Sequence, residues 1–165
     1  MAVSDLRGCR AFEMFDRQWA VLASGSIDHF NAMTISWGSI GSLWGAPGRG
    51  RQVITVYVNP DRYTNEFMQR NSLFTVSFFQ EKYRRDLGVL GSRSGRDGDK
   101  IALTGLTPES FSGTVAFREA ELTFVCRKLY EAQFRHEGMA DEIANGIYRD
   151  WEPHYQYIGE IVAER

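Results

Sequence analysis

Apolar residues in this 165-residue chain fall mostly in short runs, many alternating with polar ones and broken by glycine-rich or charged stretches, the pattern of short strands rather than long helices. Trp19 to Ser24 reads as a strand, closed by a turn at Ser24-Gly25-Ser26. Ala32 to Trp37 is a second strand, followed by a glycine-rich stretch holding Gly38, Gly41 and Gly45. Val53 to Val58, β-branched and nearly all apolar, suits a central strand. Phe74, Val76 and Phe78 alternate with Thr75 and Ser77, which predicts one buried face. Thr114 to Phe117 and Leu122 to Tyr130 make a late β section, and His154 to Val162 a last strand with Tyr155, Tyr157 and Ile161 on one face.

Helices are short and few. Thr64 to Arg70 reads as a helix capped by Asp61 or Thr64, with further short helices at Tyr83 to Leu90 and Asp99 to Leu103. Met139 to Tyr148 fits either a helix or an irregular excursion. Strands without regular βαβ alternation argue against a doubly wound sheet. They favour a mainly β domain, a closed or half-closed antiparallel barrel with helical insertions. The length suits a single domain over residues 1–165.

Composition narrows the function classes. Nineteen basic and 21 acidic residues nearly cancel, without blocks of like charge, which argues against a nucleic-acid or membrane-surface partner. No apolar run approaches the ~20 residues of a membrane span, and the opening MAVSDLRGCR carries no secretory pattern; a cytoplasmic location is expected. Cys9 and Cys126 share no metal-like spacing, and Cys126, in a strand-like run, is expected to be a buried inert thiol.

Three segments carry candidate chemistry: Phe30 to Gly45, Asn59 to Phe67 and Gly91 to Lys100. Each sets Gly, Ser, Thr or Asn beside aromatics or arginines at the end of a strand-like run. Arg62 and Thr64 at a helix start, with Ser92, Ser94, Gly95 and Arg96 in a loop able to form a backbone nest, could seat a phosphate. The plainer alternative makes Arg62 a surface residue, Thr64 a cap and Ser94-Gly95-Arg96 an ordinary loop. Asn31, Ala32, Met33, Thr34, Ser36 and Trp37 could line a flat polar slot for a ring system, with Trp37 and Trp44 as its apolar wall. Equally, both tryptophans could serve the core or a dimer interface. A ring slot beside a phosphate seat is the pairing that flavin mononucleotide (FMN) needs. His29, His136 and His154 are scattered, so no catalytic histidine is expected, and no metal or nucleotide-loop motif is present. Asp97 and Asp99, beside Arg96 and Lys100, read as a loop salt-bridge cluster.

These segments resemble the flavin reductase-like family, particularly its flavoredoxin branch. The matching residues are Asn31-Ala32-Met33-Thr34-Ile35-Ser36-Trp37-Gly38, Gly41-Ser42-Leu43-Trp44, Pro60-Asp61-Arg62-Tyr63-Thr64 and Ser94-Gly95-Arg96-Asp97-Gly98-Asp99-Lys100. Glu119 to Leu122, Cys126 to Tyr130 and Tyr157 to Ile161 follow the same pattern. The resemblance implies an FMN-binding split β-barrel forming a homodimer, with NAD(P)H as co-substrate and a redox protein or monooxygenase as possible partner. It implies Asn31, Ala32, Met33, Thr34, Ile35, Ser36 and Trp37 along the ring and ribityl chain. Arg62, Tyr63, Thr64, Ser92, Ser94, Gly95, Arg96 and Lys100 would lie about the phosphate. No side chain is implied as a proton donor to the hydride step. An electron carrier with little NAD(P)H activity and a non-catalytic binding dimer are the rival functions. The chain departs from the family at Gly48-Arg49-Gly50-Arg51, which looks like a small insertion, and at Asn59, where relatives are often basic.

Overall fold

The computed structural model describes residues 11–165; Cys9 lies outside them. In chain order the strands are β1 (Ala20–Ser26), β2 (His29–Ile35), β3 (Gly38–Leu43), β4 (Arg51–Val58), β5 (Leu73–Phe78), β6 (Pro108–Phe111), β7 (Thr114–Phe117), β8 (Leu122–Gln133) and β9 (Tyr155–Glu164). The helices are α1 (Ala11–Asp16), α2 (Tyr63–Arg70), α3 (Arg84–Ser92) and a single turn, α4 (Asp141–Ala144). Seven strands form one antiparallel sheet in the order β2-β1-β5-β8-β9-β4-β3, and β6 and β7 form a separate hairpin.

Period-two alternation divides the core in two. Ala20 and Leu22 of β1, with Met33 and Ile35 of β2, face one cluster; Val21, Ala23 and Ala32 face the other. The first cluster also holds Ile54, Val56 and Val58 of β4, so the sheet curls to bring strands near its two edges onto one core. The second is closed by Leu87 and Leu90 of α3 and by Val115 and Phe117 of β7. Each large side chain fully buried this way contributes roughly 1.5–3 kcal/mol.

The α3 and β7 cover explains a departure from the single buried face expected of β5. Its polar face is buried too: the Thr75 hydroxyl donates to the Val115 carbonyl at 2.8 Å, and Ser77 and Thr123 share a hydrogen bond at 3.0 Å. Tyr155, Tyr157 and Ile161 do pack together on the first cluster. Cys126 is fully buried and burial pushes its thiol pKa up to about 12, which leaves it inert.

Several boundaries move. β1 runs through the expected Ser24–Ser26 turn and reverses at Ile27 and Asp28. Gly25 sits inside the strand at φ +119°, where a Cβ would lie 2.3 Å from the His29 carbonyl oxygen. The glycine-rich stretch after Trp37 is the edge strand β3, paired with β4. Asp99 to Leu103 is only a 3-10 turn at Ile101–Leu103. The Asp99 carboxylate accepts N–H bonds from Ile101 and Ala102 rather than joining a salt-bridge cluster. Met139 to Tyr148 holds α4 and is otherwise irregular. Among the described residues no helix is long and apolar enough to cross a membrane, and no acidic, His or Cys cluster is placed to hold a metal.

Candidate functional site

A cleft of about 530 Å³ opens where β2 ends. Met33, Thr34, Ile35, Ser36 and Trp37 line one side; Tyr57, Asn59, Asp61 and Arg62 line the other; Trp151 and His154 complete the wall. Met33, Asp61 and Arg62 also border a second, tighter cavity of about 80 Å³. Asn31, Tyr63, Thr64, Arg93, Ser94, Gly95 and Lys100 complete that cavity. The geometry is a broad slot with an aromatic wall that adjoins a small cationic recess.

Two side-chain bonds from β2 hold these parts in register. The Thr34 hydroxyl donates to the Leu87 carbonyl of α3 at 2.5 Å. The Asn31 amide donates to the Thr64 hydroxyl at 2.7 Å, with both residues buried. Thr64 therefore anchors α2 to the sheet and does not cap it. Arg62 occupies the cap position in an extended conformation, with no side-chain cap bond from it, and Asp61 does not cap the helix either. Asn59, the uncharged departure from the family pattern, accepts the Asp61 N–H at 2.9 Å and so shapes the turn into α2.

The loop after α3 closes on the same point. Gly95 packs so tightly that a Cβ there would meet the Asn31 Oδ1 at 2.2 Å and the Tyr63 ring at 3.1 Å. Arg96 turns away from the recess: it donates to the Asp61 carbonyl at 3.0 Å, pairs with Glu66 at 2.6 Å and lies over the Tyr63 ring. It is thus tied to α2 rather than to Asp97 or Asp99. The Ser94 hydroxyl accepts the Arg96 N–H, whereas Ser92 bonds back to Gly88 within α3 and does not line the recess. Ala32 is fully buried on the far face, in the second core cluster. Trp44 is half exposed and off the cleft.

The recess is electropositive. Lys100 is 5% exposed, and burial, then the Arg62 charge, lower its pKa to about 8. Among the described residues neither Arg62, Arg93 nor Lys100 makes an ion pair. Uncompensated cations around a small cavity are what an oxyanion of high charge requires.

His154, set aside in the sequence as scattered, stands in the cleft. Its ring packs on Trp37 at 4.7 Å between centroids, and its Nδ1 meets the Tyr148 hydroxyl at 3.1 Å. Burial, then the Arg62 charge, hold its pKa below the ordinary histidine range, so it is neutral at pH 7. Arg93, Tyr57, Trp151 and His154 are the site residues that sequence reasoning missed. Arg93 lies inside the candidate segment Gly91 to Lys100 without having been singled out; the other three carry no local motif, and Trp151 and His154 arrive from an irregular segment whose path no periodicity reveals.

No curated protein sequence matches the chain. Among solved structures it is similar to flavoredoxin from Methanosarcina acetivorans (22% identity, 90% of this chain and 67% of that one, TM-score 0.66). It is likewise similar to an FMN-binding protein from Thermus thermophilus (20%, 89% and 68%, 0.66) and to nitrilotriacetate monooxygenase component B from Bacillus cereus (18%, 100% and 77%, 0.67). These likenesses establish the split β-barrel fold. The model of the flavin reductase like domain matches residues 12–163, and with the ordered motifs around the cleft this means that the chain belongs to the flavin reductase-like family.

Proposed function

We propose that the protein binds FMN, with the ring in the broad cleft and the phosphate in the adjoining recess, and acts as an NAD(P)H-dependent flavin oxidoreductase. The observation that carries this reading is the junction itself. An aromatic-walled slot and a recess with three cations that, among the described residues, make no ion pair share Met33, Asp61 and Arg62. The residues present fit the group: a planar ring stacks on aromatic walls, and a phosphate dianion offsets the recess charge. FMN-binding relatives of the same fold point the same way.

When bound, FMN would supply a ring that accepts a hydride from a reduced nicotinamide and hands electrons to a downstream acceptor. The protein's part is binding and orientation. Arg62, Arg93 and Lys100 hold negative charge at one end; Asn31 and Thr64 fix the strand against α2; Trp37 and Trp151 shield the cleft. Neutral His154, with Nδ1 engaged by Tyr148, presents its other nitrogen as a polar contact and needs no proton of its own for hydride transfer. Arg96 in this reading positions the recess by tying its loop to α2.

The proposal extends to a cytoplasmic homodimer serving a redox protein or monooxygenase. Tyr155 and Tyr157 supply no aromatic surface for it, because Tyr157 is fully buried and Tyr155 packs beside it. Ile40, Leu43 and Trp44 are exposed instead, on and just after edge strand β3, and support a self-association face; a dimeric mass by light scattering is expected. Steady-state oxidation of NADH and NADPH with added FMN tests the activity. Turnover well above the protein-free rate with at least one nucleotide is expected. No acceleration with either would leave the electron-carrier reading in its place.

A further inference from the structure

The recess is organised around a buried ammonium. Lys100 Nζ donates to the carbonyls of Leu90 and Arg93, both at 3.1 Å, at the end of α3. An ammonium has three donors; among the described residues the third has no protein partner, and the side chain lines the recess. Arg62 faces it from the start of α2 and Arg93 from the end of α3. Asp61 is the only carboxylate among the described residues of the recess wall. Asp28, His29 and Asp99 border the hollow on the other side of Lys100, and none of them bonds it. A cavity of about 80 Å³ exceeds the roughly 30 Å³ share of one water and suits a small tetrahedral oxyanion.

We infer that Lys100 is a titrating contact of the phosphate seat: it takes up a proton as a phosphate dianion enters, so that retention of FMN depends on pH while retention of the phosphate-free ring does not. This rests on the flavin reading for the ligand, although the seat is made by protein groups alone. In the free protein burial, then the Arg62 charge, hold the Lys100 pKa down to about 8. A dianion beside Nζ reverses that preference and raises the pKa. Proton linkage then sets the slope: above about pH 8, FMN affinity falls by up to about tenfold per pH unit. A phosphate monoester completes its own ionisation near pH ~6, so its titration lies below this window.

The test is calorimetric titration of the wild-type protein with FMN and with riboflavin from pH 7 to 9.5, in buffers of different ionisation enthalpy. Riboflavin carries the same ring, so titration of the ring cancels in the comparison. We expect uptake of a fraction of a proton with FMN near pH 8, a steepening loss of FMN affinity above it, and neither effect with riboflavin. Lys100→Met should abolish the uptake. Because that variant loses the bonds to α3 and can fail to fold, Arg62→Gln is the second probe; it removes the neighbouring charge and should move the break in the FMN profile to higher pH. Parallel pH profiles for the two flavins, or FMN binding without proton uptake, would overturn the inference. If neither flavin binds, the flavin reading fails by itself, and the seat is judged by inorganic phosphate. A phosphate-dependent rise in melting temperature that shrinks from pH 7 to pH 9 retains the seat, and a rise that is absent or constant with pH rejects it.

Discussion

Gly95→Ala isolates the contact between the recess loop and the sheet. Its backbone is not in the left-handed region, so an alanine there is not strained by conformation; the consequence is steric. The new Cβ would lie 2.2 Å from Asn31 Oδ1, about 1 Å inside an ordinary C···O approach of roughly 3.3 Å. Asn31 is not a free side-chain tip, since it is buried and bonded to Thr64 at 2.7 Å. Two relaxations are open. If the loop retreats, Ser94 and Arg93 leave the recess by about 1 Å, and a charge-assisted phosphate contact worth roughly 1.5–3 kcal/mol, about ten- to hundred-fold in affinity, is weakened. If Asn31 swings instead, the buried bond to Thr64 is lost at about 1–3 kcal/mol, which lowers the melting temperature by roughly 2–4 °C per kcal/mol in a domain of this size. Fluorescence titration with FMN and riboflavin, together with thermal melts, separates the two. Loop retreat predicts a selective loss of FMN affinity at nearly unchanged stability. Asn31→Ala removes the clashing oxygen, so the double variant should bind FMN better than independent effects would allow. An alanine variant with wild-type FMN affinity and wild-type melting temperature would refute the reasoning.

Tyr157→Phe removes a buried donor 2.6 Å from Asn65 Oδ1; a loss of about 1–3 kcal/mol is expected by denaturant unfolding, and an unchanged midpoint would count against that bond. His154, with its lowered pKa, is neutral in the fold, so stability should be intact above the unfolded histidine value near 6.5 and decline as pH falls through the lower folded value. His154→Gln should flatten that part of the melting profile. Arg96→Ala should cost under about 1 kcal/mol of stability, because its pair with Glu66 is partly exposed. It should also reduce the rise in melting temperature that FMN produces, since the recess loop loses its tie to α2; Arg96→Lys should restore only part of that rise.

The strands were the legible part of this chain. Val53 to Val58 declared itself as a β-branched, nearly all apolar run, and Phe74 to Phe78 because apolar side chains at period two have one place to go. Even there, Thr75 and Ser77 look solvent-facing by type, yet they are buried because β7 and β8 supply hydroxyl and carbonyl partners. Arg62, Thr64, Ser94 and Gly95 were visible as a motif, and the fold brings them to one recess. Helix capping was not legible: Thr64 is a good cap by residue type, but the Asn31 amide, far away in sequence, claims its hydroxyl. Arg96 shows the same limit, since a guanidinium's partner is set by whichever carboxylate the fold delivers, here Glu66. His154 and Trp151 were invisible because their approach to the cleft depends on the irregular path between β8 and β9.

The visible spectrum of the purified protein, mixed with FMN and stripped of free flavin, tests the central claim most directly. Retained flavin at about one per chain, with a shifted absorption band and an affinity roughly 10–100-fold above that for riboflavin, is the predicted result. A protein that retains no FMN, or that binds FMN and riboflavin equally, would contradict it.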